Sequence, residues 1–117
     1  MWDFTCCHTL AASFLNKAVL GQGFVANDAE ARKTSKYSAL AANYTFTPIA
    51  IETLGALGSE ASAFFSELGR RLQYPTREHR AYMFLMQRIS VAVQRGNAAC
   101  LLGSLPLCTR WDDVFYL

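Results

Sequence analysis

Three charged residues have the types and positions needed for metal-assisted cleavage of a phosphodiester: Asp3, Lys33 and Glu52. Carboxylate oxygens are hard ligands that hold Mg²⁺, the metal activates a water molecule, and a lysine ammonium orients or neutralises the phosphate. Asp3 lies in one predicted strand and Glu52 at the carboxyl end of another, the edge where open α/β sheets form their sites. We therefore expect Asp3, Lys33 and Glu52 to converge. The alternative is that the two acids cap loops or pair with arginines.

Two predicted strands and the helix between them must position these residues. Met1 to Thr5 is rich in aromatic and β-favouring residues, which predicts a short strand. Phe46 to Thr53 predicts a second strand that is apolar on both faces, with Pro48 at its start or at an edge. A weak helical stretch spans Thr9 to Leu20. Strands joined by a helical crossover run parallel, so the order of elements predicts a βαβ unit.

The connecting helix has the clearest signals in the chain. Asn27 is a favourable N-cap, and Glu30 three positions later completes a capping box. The helix is predicted to continue to about Ala42.

Two lysines, Lys33 and Lys36, fall on the apolar face of this helix. At about 100° per residue, they share a side with Ala26, Ala29, Tyr37 and Leu40. One explanation is that both lysines extend past the small alanines to solvent. The other is that one amine points into a polar site between helix and sheet.

The second half of the chain predicts a long helical hairpin. Its helices span about Ser59 to Gln73 and Arg77 to Leu102, with a break at Pro75. Four arginines form a basic stripe on the last helix: Arg77, Arg80, Arg88 and Arg95. Such a stripe could bind DNA or RNA phosphates, or it could be an ordinary solvated face.

Composition places the chain among globular proteins with one domain. Of its 117 residues, 52% are hydrophobic and 17% charged, with a net charge of +2, which excludes a disordered chain. We predict one partial domain over residues 1–104 and an irregular tail over 105–117. No apolar run is long enough to span a membrane, and the amino-terminal segment lacks the basic patch of a signal peptide. We therefore predict an intracellular protein, nuclear or cytoplasmic.

The cysteines do not predict a zinc site or a disulfide framework. Cys6 and Cys7 are adjacent, so they lack the gap that lets two thiolates converge on one zinc ion. We expect Cys6, Cys7, Cys100 and Cys108 to be reduced thiols.

Several segments, taken together and in order, resemble the C-terminal region of reverse-transcriptase polyproteins from non-LTR-type retroelements. The similarity covers about Trp2 to Ser104. The segments that carry it are Trp2–Cys6 (WDFTC), Ala31–Tyr37 (ARKTSKY), Phe46–Gly55 (FTPIAIETLG), Leu68–Arg71 (LGRR) and Gln87–Ala99 (QRISVAVQRGNAA).

The resemblance implies a restriction-like endonuclease of the PD-(D/E)xK class that nicks DNA with Mg²⁺. The family's second Asp matches Asp3, its Lys matches Lys33 (with Lys36 as the alternative), and its Tyr matches Tyr37. Glu52 is proposed as a metal ligand from its strand position alone.

The family's upstream strand, which carries a Pro-Asp pair, is missing. The resemblance therefore implies a helix-rich α/β chain with an incomplete endonuclease core. We expect a polyprotein fragment that lacks its N-terminal part and is inactive alone. The alternative is a non-catalytic helical module that binds nucleic acid or protein.

Overall fold

The part of the chain that the structure describes folds into two parallel strands and four helices. The computed structural model describes residues 1–40 and 42–105. The elements are β1 (Trp2–Cys7), α1 (Leu15–Ala18), α2 (Phe24–Lys36), β2 (Thr47–Glu52), α3 (Ser59–Thr76) and α4 (Ala81–Gly103). The predicted strand–helix–strand unit and the helical hairpin after it are confirmed, and the chain is mixed α/β and rich in helix.

The two strands pair in parallel along their whole length, from Trp2 opposite Thr47 to Cys7 opposite Glu52. Successive side chains of β1 point to opposite faces of the pair. Cys7 packs on the α2 side in a small buried cluster with three residues of α2 and one of β2: Val25, Ala26, Ala29 and Ala50. Because three of these side chains are alanines, α2 lies close to the strands.

The start of α2 corrects the predicted capping box. The helix begins at Phe24, and its N-cap is Gly23, which has no side chain that could bond to the first turn. Asn27 is already inside the helix, where its Oδ1 accepts a hydrogen bond from the Ser59 amide at 2.8 Å. Glu30 bonds to β2 and α3 instead of turning back to Asn27. Both polar side chains therefore form hydrogen bonds that connect α2 to other elements, and neither caps α2.

Other predicted boundaries shift as well. β1 extends to Cys7 because its pairing with β2 continues to that residue. The weak helical stretch from Thr9 forms only one helical turn, Leu15–Ala18, and α2 ends at Lys36 instead of Ala42. Residues 37–40 continue the apolar pattern of the predicted helix, but in the structure they form turns.

The break between the last two helices lies three to four residues later than predicted, at residues 77–80. Pro75 lies within the last turn of α3, and the chain turns at Arg77, whose φ of 52° is left-handed. α4 starts at Ala81. α4 packs against α3 at Gly69, where a larger residue would not fit, because a Cβ there would lie 2.7 Å from the Tyr82 Cβ. Glycine thus lets α4 approach α3 closely.

The opposite face of the strand pair borders an apolar groove of about 920 Å³ beneath α4. Phe4 and Cys6 of β1 line one wall, and Ile89 and Val93 of α4 line the other. The Asn97 side-chain amide of α4 donates to the Thr53 carbonyl at 2.7 Å. α4 is therefore tied to the end of β2 while the groove stays open.

Three cysteines of the described residues, Cys6, Cys7 and Cys100, are free thiols. Cys108 and all but the first residue of the predicted tail 105–117 lie outside the described residues. Among residues 1–40 and 42–105, no helix is long and apolar enough to cross a bilayer.

Candidate functional site

The first candidate pair, Asp3 and Lys33, meets as predicted. The Lys33 Nζ donates to the Asp3 Oδ2 at 2.6 Å, so this amine reaches a polar site between α2 and β1. The two side chains are 27% and 31% exposed, which leaves the pair accessible from solvent. The hydrogen bond to Asp3 raises the pKa of Lys33 above its ordinary value. The ammonium therefore stays charged at neutral pH and can act as an electrostatic group, not as a general base.

Tyr37 and Lys36 lie beside this pair at the end of α2. The Tyr37 ring centroid is 6.0 Å from the Lys33 Nζ and 5.2 Å from the Lys36 Nζ. Phe46, just before β2, packs against the same ring at 5.1 Å. Tyr37 is thereby held against both lysines, which brings together all four residues predicted to be catalytic.

Glu52 does not join them. Asp3 lies opposite Pro48, four residues before Glu52 in β2, which is about 13 Å along a strand. The Glu52 carboxylate is buried, where it accepts hydrogen bonds from the Thr9 hydroxyl and from the Ala26 amide, both at 3.2 Å. Ala26 is in the first turn of α2, so Glu52 caps the helix whose own N-cap is a glycine. The predicted convergence of three residues is therefore wrong for Glu52.

The donor set at Asp3 does not fit a magnesium ion. Within the part of the chain that the structure describes, no three His, Cys, Asp or Glu side chains cluster closely enough to hold a metal. Mg²⁺ requires near-octahedral oxygen coordination, usually from one or two carboxylates with waters and substrate phosphates. Asp3 brings a single carboxylate, one of whose oxygens already bonds to Lys33.

Glu30 is the main charged residue that sequence reasoning misplaced. Its buried carboxylate accepts hydrogen bonds from three backbone amides, Ala50 at 3.4 Å and Glu60 and Ala61 at 2.9 Å. The last two belong to the first turn of α3, whose N-cap, Gly58, has no side chain. Glu30 therefore caps α3 from α2. The available signal was its position on the helix face that also carries Ala26 and Ala29.

The predicted arginine stripe on the last helix is wrong as a group of four. Arg77 terminates α3, and Arg80 is the N-cap of α4. Only Arg88 and Arg95 lie on α4, and both are exposed. The stripe is shorter because α4 begins four residues after the predicted start.

Comparison with known proteins adds no relative. No protein-family model matches the chain, and no curated protein or solved structure is significantly similar to it.

Proposed function

We propose that this chain is the strand–helix–strand part of a metal-dependent DNA endonuclease of the PD-(D/E)xK class, derived from a retroelement polyprotein and inactive by itself. The observation that carries the proposal is the 2.6 Å contact between the Lys33 ammonium and the Asp3 carboxylate. It joins an acid on a strand to an amine on the crossover helix, at a position accessible from solvent.

Lys33 has the chemistry to bind a phosphate in this position. An ammonium carries three N–H donors, and Asp3 occupies one of them. The other donors can bond to phosphate oxygens, where a fixed positive charge stabilises the charge that develops during cleavage. The Tyr37 ring lies 6.0 Å from this amine and 5.2 Å from the Lys36 ammonium, so a second cation lies at the same ring.

A second carboxylate has to come from another strand, because Asp3 alone is too poor a donor set for Mg²⁺. Among the described residues, β1 pairs with β2 along one edge, and its other edge pairs with no strand. An unpaired edge offers backbone groups to an added strand. We propose that a strand with a Pro-Asp pair completes the site there.

The test is nicking of supercoiled plasmid in Mg²⁺ or Mn²⁺ by the chain alone and by a form extended with such a strand. We expect no nicking by the chain and nicking by the extended form. Asp3→Ala or Lys33→Ala in the extended form should reduce the rate by about 100-fold or more, the usual cost of removing an electrostatic catalytic group.

The matched control is Arg70→Ala, which removes a cation from α3 that is bonded to Glu67. It should leave nicking unchanged. Absence of nicking by the extended form, or a nicking rate that stays unchanged after Asp3→Ala or Lys33→Ala, would overturn the proposal.

The second candidate is a non-catalytic helical module that binds nucleic acid. Its support is the pair of exposed arginines on α4, Arg88 and Arg95, which line a common surface with Phe84 and Val91. A salt titration of nucleic-acid binding by the chain with Arg88→Ala and Arg95→Ala separates this candidate from the first.

A further inference from the structure

One flank of β1 borders a small cavity rich in cations. The cavity has a volume of about 290 Å³ and lies between β1 and α2. Three basic residues of α2 line it, together with the strand and a ring from the loop before α1: Arg32, Lys33, Lys36, Thr5, Cys7 and Phe14. The Arg32 guanidinium lies over the Phe14 ring, 5.6 Å from its centroid, which restricts the arginine to an orientation beside the cavity.

The charges around this cavity do not cancel. Lys17 and Arg32 both pair with Asp28, and Lys33 pairs with Asp3. Lys36 has no carboxylate partner among the described residues. The hydrogen bond from Lys17, with the charge of Arg32, lowers the pKa of Asp28, so this acid is ionised at neutral pH. Four cations against two carboxylates leave this flank positive.

The paired cations still have donors to offer. A guanidinium has five N–H donors, and Arg32 contacts Asp28 through its Nη2, 2.9 Å from the Asp28 Oδ2. Lys36 contributes an ammonium that is bound to no acid in the described part of the chain. An anion can therefore bind without breaking either ion pair.

We propose that this cavity binds the phosphates of a nucleic-acid strand, with Arg32 and Lys36 contacting phosphates on either side of the one that faces Lys33. Arg32 and Lys36 are four residues apart, about 6 Å along the helix axis. One DNA strand carries a negative charge about every 3.4 Å of its axis, so this span is close to two such intervals, the axial separation of the two phosphates that flank a third. The proposal rests on the proposed function in one respect, the role of Lys33 at the phosphate.

Other basic residues of the described chain are less suited to this role. Arg70 and Arg71 both bond to Glu67, at 2.8 Å and 2.7 Å, on an exposed face of α3. This shared acid offsets one of their two charges. The pair therefore makes a matched control with the same number of cations.

The experiment measures the binding of a fluorescein-labelled 20-nucleotide single strand, and of its duplex, by anisotropy between 0.05 and 0.3 M NaCl. EDTA is present, so no cleavage interferes. The slope of log K against log salt is about −0.7 for each phosphate contact with a single strand. Arg32→Ala with Lys36→Ala should therefore flatten the slope by about 1.4 and weaken binding at low salt.

Two paired variants and a rescue define the result. Arg70→Ala with Arg71→Ala should leave the slope near that of the unchanged chain, and Arg32→Lys with Lys36→Arg should restore most of the binding. Thermal melts check that each variant folds. The α2 variant is the chain with Arg32→Ala and Lys36→Ala. If Arg88→Ala with Arg95→Ala flattens the slope and the α2 variant does not, the phosphate site lies on α4 and the proposal is wrong. Equal losses in all paired variants would also overturn it, since they indicate nonspecific attraction.

This binding test is independent of the nicking test. Binding lost in the α2 variant without nicking by the extended form would support the phosphate site and refute the endonuclease. Nicking by the extended form, together with unchanged binding in the Arg32→Ala, Lys36→Ala variant, would support the endonuclease and refute the phosphate site.

Discussion

The two ends of the parallel strand pair use their acidic residues in opposite ways. At the carboxyl end, Glu52 is buried and its oxygens bond to the Ala26 amide and the Thr9 hydroxyl. At the amino end, Asp3 is partly exposed and bonds to a lysine side chain. The carboxyl end is the usual place for a site in open α/β sheets, yet here the candidate pair lies at the other end.

The difference follows from the residues that start the helices. α2 and α3 begin after Gly23 and Gly58, which have no side chain to satisfy the free amides of the first turn. Glu52 and Glu30 supply those hydrogen bonds from neighbouring elements. An acid used in this way is unavailable for chemistry, whereas Asp3 faces no helix start.

The strongest test of this contrast is removal of the Glu30 carboxylate. Glu30→Ala leaves buried amides of β2 and α3 without an acceptor, so we expect a loss of about 3–5 kcal/mol in the free energy of unfolding. Urea denaturation followed by circular dichroism measures it. Glu30→Gln keeps an acceptor oxygen and should lose less. A loss below about 1 kcal/mol for the alanine variant would show that Glu30 does not cap α3.

A methyl group at Gly58 should have the next largest effect. A Cβ at this position would lie 2.2 Å from the Glu30 carboxyl group, while the φ of −69° suits any residue. Gly58→Ala should therefore destabilise by about 2–3 kcal/mol through displacement of the carboxylate alone.

Gly96→Ala is the matched control for that substitution. Gly96 lies inside α4, and a Cβ there meets no atom within 4 Å. Because alanine favours helix over glycine, the control should stabilise by up to about 1 kcal/mol. If both alanine variants shift the urea midpoint in the same direction, the close approach of Gly58 to Glu30 is not the cause.

The smallest expected effect concerns Asp28, a partly buried residue of α2. Lys17 and Arg32 lower its pKa from the ordinary 3.8, so the folded state favours the ionised form. The resulting stability is present above about pH 4 and is lost as the pH falls through the lower, folded pKa. Solvent screening limits it to about 1 kcal/mol or less.

Thermal melts of the unchanged chain and Asp28→Asn between pH 2 and 7 measure this contribution. The difference in melting temperature should be largest near pH 7 and should close in acid. A difference that stays constant to pH 2 would mean that the ion pairs do not contribute.

Much of the fold could be predicted from local patterns in the sequence. The apolar run around Ile49 indicated a covered strand, and the strand–helix–strand order predicted parallel pairing, which the register confirms. The contact of Lys33 with Asp3 was also predicted, because the order of elements brings the connecting helix close to the first strand, and it favours the second of the two explanations for a lysine on the apolar face of that helix. Both inferences depend on periodicity, which is a local property.

The boundaries were harder to predict because tertiary contacts set them. Asn27 and Glu30 have the spacing of a capping box, but both accept hydrogen bonds from amides of α3 about thirty residues away, and Glu30 also from Ala50 of β2. Pro75 suggested a break, yet α3 continues to Thr76, because a proline in the last turn removes only one hydrogen bond.

The sequence by itself determined the kinds of elements, their order and the face of α2 that turns towards the strands, since these follow from spacing along the chain. Only the tertiary structure decided which carboxylates remain accessible. An acid becomes a buried helix cap when folding places unsatisfied amides beside it. For Glu30 and Glu52 those amides come from segments about 20 to 30 residues away. Asp3 pairs with the Lys33 ammonium instead, and it remains partly exposed as part of the candidate site.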